Sequence, residues 1–139
     1  MNRDDERHIM KILGVLLEEA RQLILRDGED GLRPSHYRVI GSVPPDGGIT
    51  ITELAERVGM TKQGIGQFVT TLTRDGYLAT GTDPNDRRRR VVRRTRLGQD
   101  ATEHLAEMLR GLEEEWARRV GKQRYGEFRA ALDDIARIG

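Results

Sequence analysis

The feature that most constrains this chain is a pair of short helices with almost no sequence between them. Thr50, followed three residues later by Glu53, forms a capping box that predicts a helix over residues 51–58. Gly59 can end that helix, and Thr61 can already cap the next one. Two helices joined by so tight a turn are typical of a helix-turn-helix, although ordinary helical bundles contain the same connection.

Side-chain spacing within the two helices favours the helix-turn-helix. Ala55 is small where the helices would cross, and Ile65 is apolar where the second helix would pack on the first. The second helix is predicted to end at Asp75-Gly76. Its outward face carries Lys62, Gln63, Gln67, Thr70 and Arg74. These side chains can reach phosphates and base edges in a DNA major groove, whereas an isolated polar helix face is usually only solvated.

The positive charge of the chain is concentrated in its middle. The formal net charge is only +1, yet residues 60–97 hold 9 basic and 3 acidic side chains, a local net charge of +6. Residues 1–59 and 98–139 are both net acidic. A segment of one sign indicates an anionic partner, of which nucleic acid is the commonest. Membrane lipid fits less well, because the basic segment lacks an amphipathic helical period.

A β-hairpin is predicted directly after the second helix. Residues 77–82 and 90–95 have the character of short strands with residues 83–89 between them, and Asp83-Pro84 is a favourable start for a tight turn. Seven arginines fall within positions 87–96, so this hairpin carries them on its tip and second strand. A thin arginine-bearing tip suits the negative potential of a DNA minor groove.

Amphipathic helices are predicted on both sides of this central region. Residues 4–26 show a stripe of apolar residues with helical spacing, a short helix is expected around Pro34-Ser35, and a long helix is expected to start at Thr95. A last helix carries a second stripe from Tyr125 to Ile135. These stripes hold more apolar surface than a small DNA-binding lobe can cover, which predicts a homodimer. The alternative is that they pack on each other within one subunit.

Several other functions find little support in the sequence. The chain has no cysteine, which excludes disulfides, thiolate zinc sites and a thiol switch. His8, His36 and His104 lack metal-ligand spacing, and no nucleophile or acid–base set indicates an enzyme. We therefore expect no catalytic residue, metal or cofactor. With neither a signal peptide nor a membrane span, a cytoplasmic location is expected. The best rival function is a basic helical adaptor that binds an acidic protein.

With these elements together, the chain resembles the MarR family of winged-helix transcriptional regulators. The resemblance runs through the segment ITELAERVGMTKQGIGQFVTTLTRDGYL, then DPNDRRRRVVRRT and Gly98, and with the flanking helices it covers nearly the whole chain. It implies a mainly α fold with a small β-hairpin wing. It also implies one unit over 1–139, with dimerisation helices in 1–32 and 98–139 and a winged helix-turn-helix lobe in 33–97.

The resemblance also implies how the chain would act. A homodimer would present two recognition helices and two arginine-tipped wings to a palindromic operator in double-stranded DNA, most simply as a ligand-responsive repressor. The family's wing motif, Asp-x-Arg, falls on Asp86 and Arg88, so Arg88 would enter the minor groove with Asp86 as its orienting partner. The full set of expected DNA contacts is Thr50, Thr61, Lys62, Gln63, Gln67, Thr70, Arg74, Asp86, Arg87, Arg88, Arg89 and Arg90. Gln63 and Gln67 are expected to read bases.

A small aromatic or anionic effector is a further implication, with His36, Tyr37 and Arg38 as candidate pocket residues. Two departures from the family pattern stand out. Arg94 occupies the position before the threonine where leucine is usual, which leaves open its packing and any phosphate contact. Gly64 and Gly66 lie in the first turns of the recognition helix, where each costs about 1 kcal/mol of helix propensity. Either they permit close approach of DNA, or the helix is frayed and orders on binding.

Overall fold

The computed structural model describes residues 8–29 and 31–137, which contain six helices and one two-stranded antiparallel sheet. The elements, in chain order, are α1 (Ile9–Asp27), α2 (Pro34–Ser42), α3 (Ile51–Val58), α4 (Lys62–Arg74), β1 (Leu78–Asp83), β2 (Asp86–Arg94), α5 (Arg96–Val120) and α6 (Lys122–Ala136). This confirms the expected mainly helical fold with a β-hairpin wing. The chain divides into two compact units, and the boundary in the sequence falls between Leu105 and Ala106.

The helix-turn-helix forms from the local signals that predict it. The Thr50 hydroxyl oxygen accepts a hydrogen bond from the Glu53 backbone N–H at 3.2 Å, which caps α3. Gly59 ends α3 with φ +79°, a left-handed conformation in which glycine has no side chain to clash. Thr61 then caps α4 by accepting from the Gly64 backbone N–H at 3.0 Å.

The core of the first unit lies beneath these two helices. Ala55 and Ile65 are both buried, as the helix-turn-helix spacing requires, and Leu54, Val58 and Leu72 join them. Helix α2, the hairpin and the start of α5 contribute further buried side chains, among them Tyr37, Val39, Ile40, Leu78, Val92 and Ala101. A backbone bridge between Ile49 and Val92 attaches the hairpin to the chain before α3.

The hairpin differs from its predicted outline, because only Pro84 and Asn85 form the turn. The predicted start of the second strand at residue 90 is therefore wrong, because β2 begins at Asp86 and includes Arg87–Arg90. Asp83 pairs with Asp86, but the next pair along the ladder is Thr82 with Arg90. The three residues between Asp86 and Arg90 have no partner on β1 and form a bulge.

The flanking helices start and end close to their predicted limits. Helix α1 begins at Ile9, and residues 4–7 of the predicted stripe lie outside the described residues. Helix α5 begins at Arg96, one residue after its expected start, because Thr95 caps it by accepting from the Gly98 backbone N–H at 3.1 Å. None of the helices in the described residues is long and apolar enough to cross a membrane.

The second unit is a pair of helical segments, the remainder of α5 and all of α6. Tyr125 of α6 donates its hydroxyl hydrogen to the Glu113 carboxylate at 2.5 Å, and Arg129 donates to the same carboxylate at 2.7 Å. Burial, followed by the hydrogen bond and the negative charge of Glu113, raises the pKa of Tyr125 to about 12. These contacts join α6 to α5 through polar side chains, and the described part of α6 has no fully buried residue.

Candidate nucleic-acid interface

Helix α4 presents its predicted polar face to the outside. Lys62, Gln63, Gln67, Thr70 and Arg74 are all exposed. Two of these side chains have partners nearby: Thr70 donates to the Gly66 carbonyl at 2.9 Å, and the Arg74 guanidinium donates to the Asp75 carboxylate at 3.2 Å. Lys62, Gln63 and Gln67 have no side-chain hydrogen-bond partner within the described part of the chain. A face of this composition can offer hydrogen bonds to both phosphates and bases.

The two capping threonines stand at the N-termini of α3 and α4. Each hydroxyl oxygen accepts a backbone hydrogen bond within its own helix, so its hydrogen is still free to donate. Thr61 is exposed and Thr50 is half-buried. Helix N-termini also carry the positive end of the helix dipole, which favours anions such as phosphate. Both threonines are therefore placed where a phosphate contact would be favourable.

The bulge in β2 gives Asp86 a definite structural role. Bulged residues cannot use the strand ladder, so their backbone N–H groups need other acceptors. The Asp86 carboxylate accepts a hydrogen bond from the Arg88 backbone N–H at 3.0 Å. Asp83 acts similarly across the turn and accepts from the Asn85 backbone N–H at 2.9 Å. Asp86 thus holds the segment that carries Arg88, through the backbone of Arg88 rather than its guanidinium.

The four consecutive wing arginines fall into two groups. Arg87, Arg88 and Arg90 are exposed and have no ion-pair partner among the residues the structure describes. Arg89 instead forms a charged hydrogen bond with Glu53 of α3, and its guanidinium also lies 3.7 Å from the Asp83 carboxylate. Three of the four guanidinium groups are therefore available to an anionic partner, and one is engaged within the chain.

Arg94 is held in the fold rather than presented to a partner. Its guanidinium donates to the carbonyl oxygens of Ile40 and Gly41 at 3.0 and 2.9 Å, and to the Gln99 amide oxygen at 2.9 Å. These carbonyls belong to the last turn of α2, where a cation is favoured, and the Ile40 carbonyl also accepts from the Val43 backbone N–H at 3.1 Å. Burial lowers the pKa of Arg94. The arginine that departs from the family pattern thus connects β2 to α2 and α5.

Two further arginines stabilise helix ends in the same way, and sequence reasoning missed both of these contacts. Arg38 donates to the Val58 carbonyl at the end of α3 at 2.5 Å. Arg57 donates to the Ser42 carbonyl at the end of α2 at 3.1 Å. In the sequence each pair is separated by 15 residues or more, and no local motif marks the acceptor.

Two of the candidate effector residues, His36 and Tyr37, make contacts within the first unit. The Nδ1 atom of His36 accepts from the Arg33 backbone N–H at 2.9 Å, and the ring packs edge-on against Phe68. Tyr37 is only 2% exposed, and its hydroxyl accepts from the Glu29 backbone N–H at 2.8 Å. Burial raises the pKa of Tyr37, so the phenol is neutral at physiological pH.

A cavity of about 230 Å³ lies near Tyr37, at the junction of α1 and α2. Its lining consists of Leu25, Arg26, Gly28, Glu29, Gly31, Leu32 and Arg33. Glu29 also contacts the His104 ring of α5, with 3.2 Å between the carboxylate oxygen and Nδ1. None of the three candidate effector residues is part of this lining. Among the described residues, no cluster of three or more histidine or acidic side chains could hold a metal ion.

The two recognition-helix glycines have different surroundings. A methyl group at Gly64 would lie 3.1 Å from the Thr61 hydroxyl oxygen and 3.3 Å from the Met60 methyl carbon. A methyl group at Gly66 would meet no other heavy atom within 4 Å. Packing inside the chain therefore gives a reason for glycine at position 64 but not at position 66.

Comparison with known proteins finds similarity in the region just described. A protein-family model described as MarR family matches residues 30–89, which include α2, α3, α4 and the wing turn. Over 99 residues the chain is 29% identical to the HTH-type transcriptional regulator PetP of Rhodobacter capsulatus. The match covers 71% of this chain and 60% of PetP, so it spans less than two thirds of that relative.

Solved structures of low sequence identity show the same fold. A crystal structure of MarR superposes with a TM-score of 0.80 at 22% identity, covering 99% of this chain and 92% of MarR. The transcriptional repressor CouR bound to a 23-mer DNA duplex gives 0.71 at 17% identity, covering 92% of this chain and 89% of CouR. PcaV from Streptomyces coelicolor, in complex with its natural ligand, gives 0.70 at 20% identity, covering 99% and 98%.

Proposed function

We propose that the chain is a winged-helix transcriptional regulator of the MarR family, which binds a palindromic operator in double-stranded DNA as a homodimer and represses transcription until a small ligand binds. Members of this family are DNA-binding regulators and not enzymes. On this proposal the chain acts by binding DNA and does not catalyse a reaction.

The observation that carries the DNA-binding proposal is the availability of three wing guanidinium groups. Arg87, Arg88 and Arg90 are exposed and have no ion-pair partner among the described residues, although the chain contains almost as many acidic as basic side chains. Unpaired arginines on a narrow hairpin are suited to a minor groove, where phosphates on both sides create a strongly negative potential. CouR, which shares this fold, has been solved bound to a DNA duplex.

Within this proposal the side chains divide by task. Arg88 enters the minor groove, Asp86 holds its backbone, and Arg87 and Arg90 approach the flanking phosphates. Gln63 and Gln67 read base edges, because an amide can form two hydrogen bonds with adenine. The remaining polar residues of α3 and α4 position the protein on the DNA backbone: Thr50, Thr61, Lys62, Thr70 and Arg74.

The exposed apolar surface of α1 supports the homodimer. Ile9, Met10, Val15 and Leu17 are each more than 60% exposed, and so much exposed apolar surface on one helix indicates an interface. A two-fold dimer would place two recognition helices about one turn of DNA apart. We expect Leu17→Glu to convert a dimer into a monomer in sedimentation or light scattering, with Gln22→Glu, which adds the same charge at an exposed position on another side of the helix, as the control. A monomeric wild-type protein at micromolar concentration would remove the homodimer from the proposal.

A small anionic or aromatic effector remains part of the proposal. His36, Tyr37 and Arg38 stay candidates, and the neighbouring cavity adds Arg33 as a group that could meet a carboxylate. PcaV, of the same fold, has been solved with its natural ligand. A panel of aromatic carboxylates should include compounds that release operator DNA from the wild type, and Arg33→Ala should reduce the effect. A panel without any such compound would leave no support for an anionic effector.

The DNA-binding proposal is tested by selecting bound sequences from a random duplex pool. We expect one palindrome to be enriched, and Arg88→Ala should weaken its binding while leaving the oligomeric state unchanged. Arg110→Ala removes the same charge from an exposed position of α5 and should have a much smaller effect. Gln67→Ala should relax base preference more than it lowers non-specific affinity. Binding without sequence preference, or capture only of acidic proteins, would instead favour the basic adaptor.

A further inference from the structure

We propose that Arg89 does not contact DNA, and that it ties the wing to α3 through Glu53, which makes Glu53 a positioning residue for DNA binding. The inference rests on the proposed function, because positioning is defined relative to a bound operator. It separates one wing arginine from its three neighbours. It also assigns a role to an acidic side chain that charge alone would predict to oppose DNA binding.

The contact joins two elements that are distant in the sequence. Arg89 lies in the bulge of β2, and Glu53 lies in the first turn of α3, 36 residues earlier. One nitrogen of the guanidinium contacts the Glu53 carboxylate, and another lies 3.7 Å from Asp83 on the wing itself. Arg89 therefore stands between a carboxylate on α3 and a carboxylate on its own hairpin. An arginine in this position can link the two elements.

The bulge has few other contacts to fix its orientation. Residues 87–89 have no ladder partner on β1, and the hydrogen bond from the Arg88 backbone N–H to Asp86 is internal to the wing. Among the described contacts of these three residues, the bond to Glu53 is the one that reaches outside the hairpin. Because DNA must meet the recognition helix and the wing together, a restrained wing is better prepared for binding.

The direction in which one substitution changes the affinity for DNA distinguishes this inference from a purely electrostatic effect. Removing a negative charge near a DNA-binding face normally strengthens binding. If Glu53 holds the wing, Glu53→Gln should weaken binding instead. An exposed ion pair changes an equilibrium by about 1.4- to 5-fold, so two subunits should together lose about 2- to 25-fold in operator affinity. Glu56→Gln is the matched control: Glu56 is exposed on the same helix, has no partner among the described residues, and should give unchanged or tighter binding.

Salt dependence tests whether Arg89 touches phosphate. Arg89→Gln should lower the affinity about as much as Glu53→Gln while leaving the slope of log K against log salt unchanged. Arg88→Gln should reduce that slope by about 0.9 for each phosphate interaction lost. The double variant Glu53→Gln/Arg89→Gln should bind no more weakly than either single variant, because both remove the same contact. Arg89→Lys keeps the charge and should restore part of the lost affinity.

A measurement without DNA keeps the inference separate from the proposed function. Hydrogen exchange of the backbone amides of residues 87–89 should be faster in Glu53→Gln than in the wild type and unchanged in Glu56→Gln. If the wild type bound no operator, the proposed function would fail while this experiment still tested the link. Three results would each overturn the inference. They are tighter operator binding by Glu53→Gln, a reduced salt slope for Arg89→Gln, and hydrogen exchange at residues 87–89 that is the same in Glu53→Gln as in the wild type. Thermal unfolding of all variants should match the wild type closely, since the pair is exposed.

Discussion

Replacing Gly66 by alanine should stabilise the protein and weaken its binding to DNA at the same time. Gly66 lies inside α4, where glycine costs about 1 kcal/mol relative to alanine. The added methyl group would meet no heavy atom within 4 Å, so no clash within the chain offsets this gain. We expect the free energy of unfolding to rise by about 0.5–1 kcal/mol, and the Tm by roughly 2–6 °C.

The expected loss of DNA affinity follows from the place of Gly66 on the exposed face. It lies one helical turn from both Lys62 and Thr70, so its backbone belongs to the surface proposed to meet the major groove. An extra methyl group in a tightly packed interface costs about 1–3 kcal/mol, which corresponds to roughly a 5- to 150-fold increase in Kd. The recognition helix would then be more stable and yet bind more weakly.

Chemical unfolding and operator titration of the same preparation measure the two effects. Gly64→Ala is the control within the helix, because its methyl group would press on the Thr61 cap and so gain little stability. A frayed helix that orders on binding predicts the opposite result for Gly66→Ala, namely tighter binding, since alanine would order the helix in advance. Higher stability with unchanged or tighter DNA binding would therefore refute the close approach of DNA to Gly66.

Three further predictions concern stability and can be checked by denaturant or thermal unfolding. Arg94→Leu removes all three guanidinium hydrogen bonds and should destabilise the protein by about 1–3 kcal/mol, so an unchanged midpoint would contradict the role assigned to Arg94. Gly98→Ala should destabilise it by about 1–3 kcal/mol, because its methyl carbon would fall 2.1 Å from the Tyr77 carbonyl oxygen, while Gly41→Ala, with nothing within 4 Å, should not. Tyr125 has a pKa raised from 10.0 to about 12, so the folded state favours its neutral form. The stability contributed by its neutral form should therefore be present below pH 10 and lost between pH 10 and pH 12. Tyr125→Phe should remove this pH dependence, and an identical alkaline profile would show that Tyr125 is not its source.

Much of the fold could be predicted from the sequence because its signals are local. A threonine cap and a backbone N–H three residues later interact within one turn of helix, so Thr50 and Thr61 mark their helix starts without help from distant residues. The helix-turn-helix spacing is equally local, and it predicted correctly that Ile65 packs in the core. The hairpin was predicted less well, because the bulge depends on a side chain that replaces ladder hydrogen bonds rather than on strand propensity.

The arginine run shows where local reasoning ends. In the sequence, Arg88, Arg89 and Arg94 are equivalent arginines of one basic segment, and composition alone predicts an anionic partner for that segment. The tertiary structure decided which contacts each of the three arginines makes. It brings Glu53 to Arg89 across 36 residues and the end of α2 to Arg94 across 54, and leaves Arg88 exposed. A guanidinium group donates to the acceptors that the folded chain brings within hydrogen-bonding distance. Which acceptors lie at that distance depends on tertiary packing and not on spacing in the sequence.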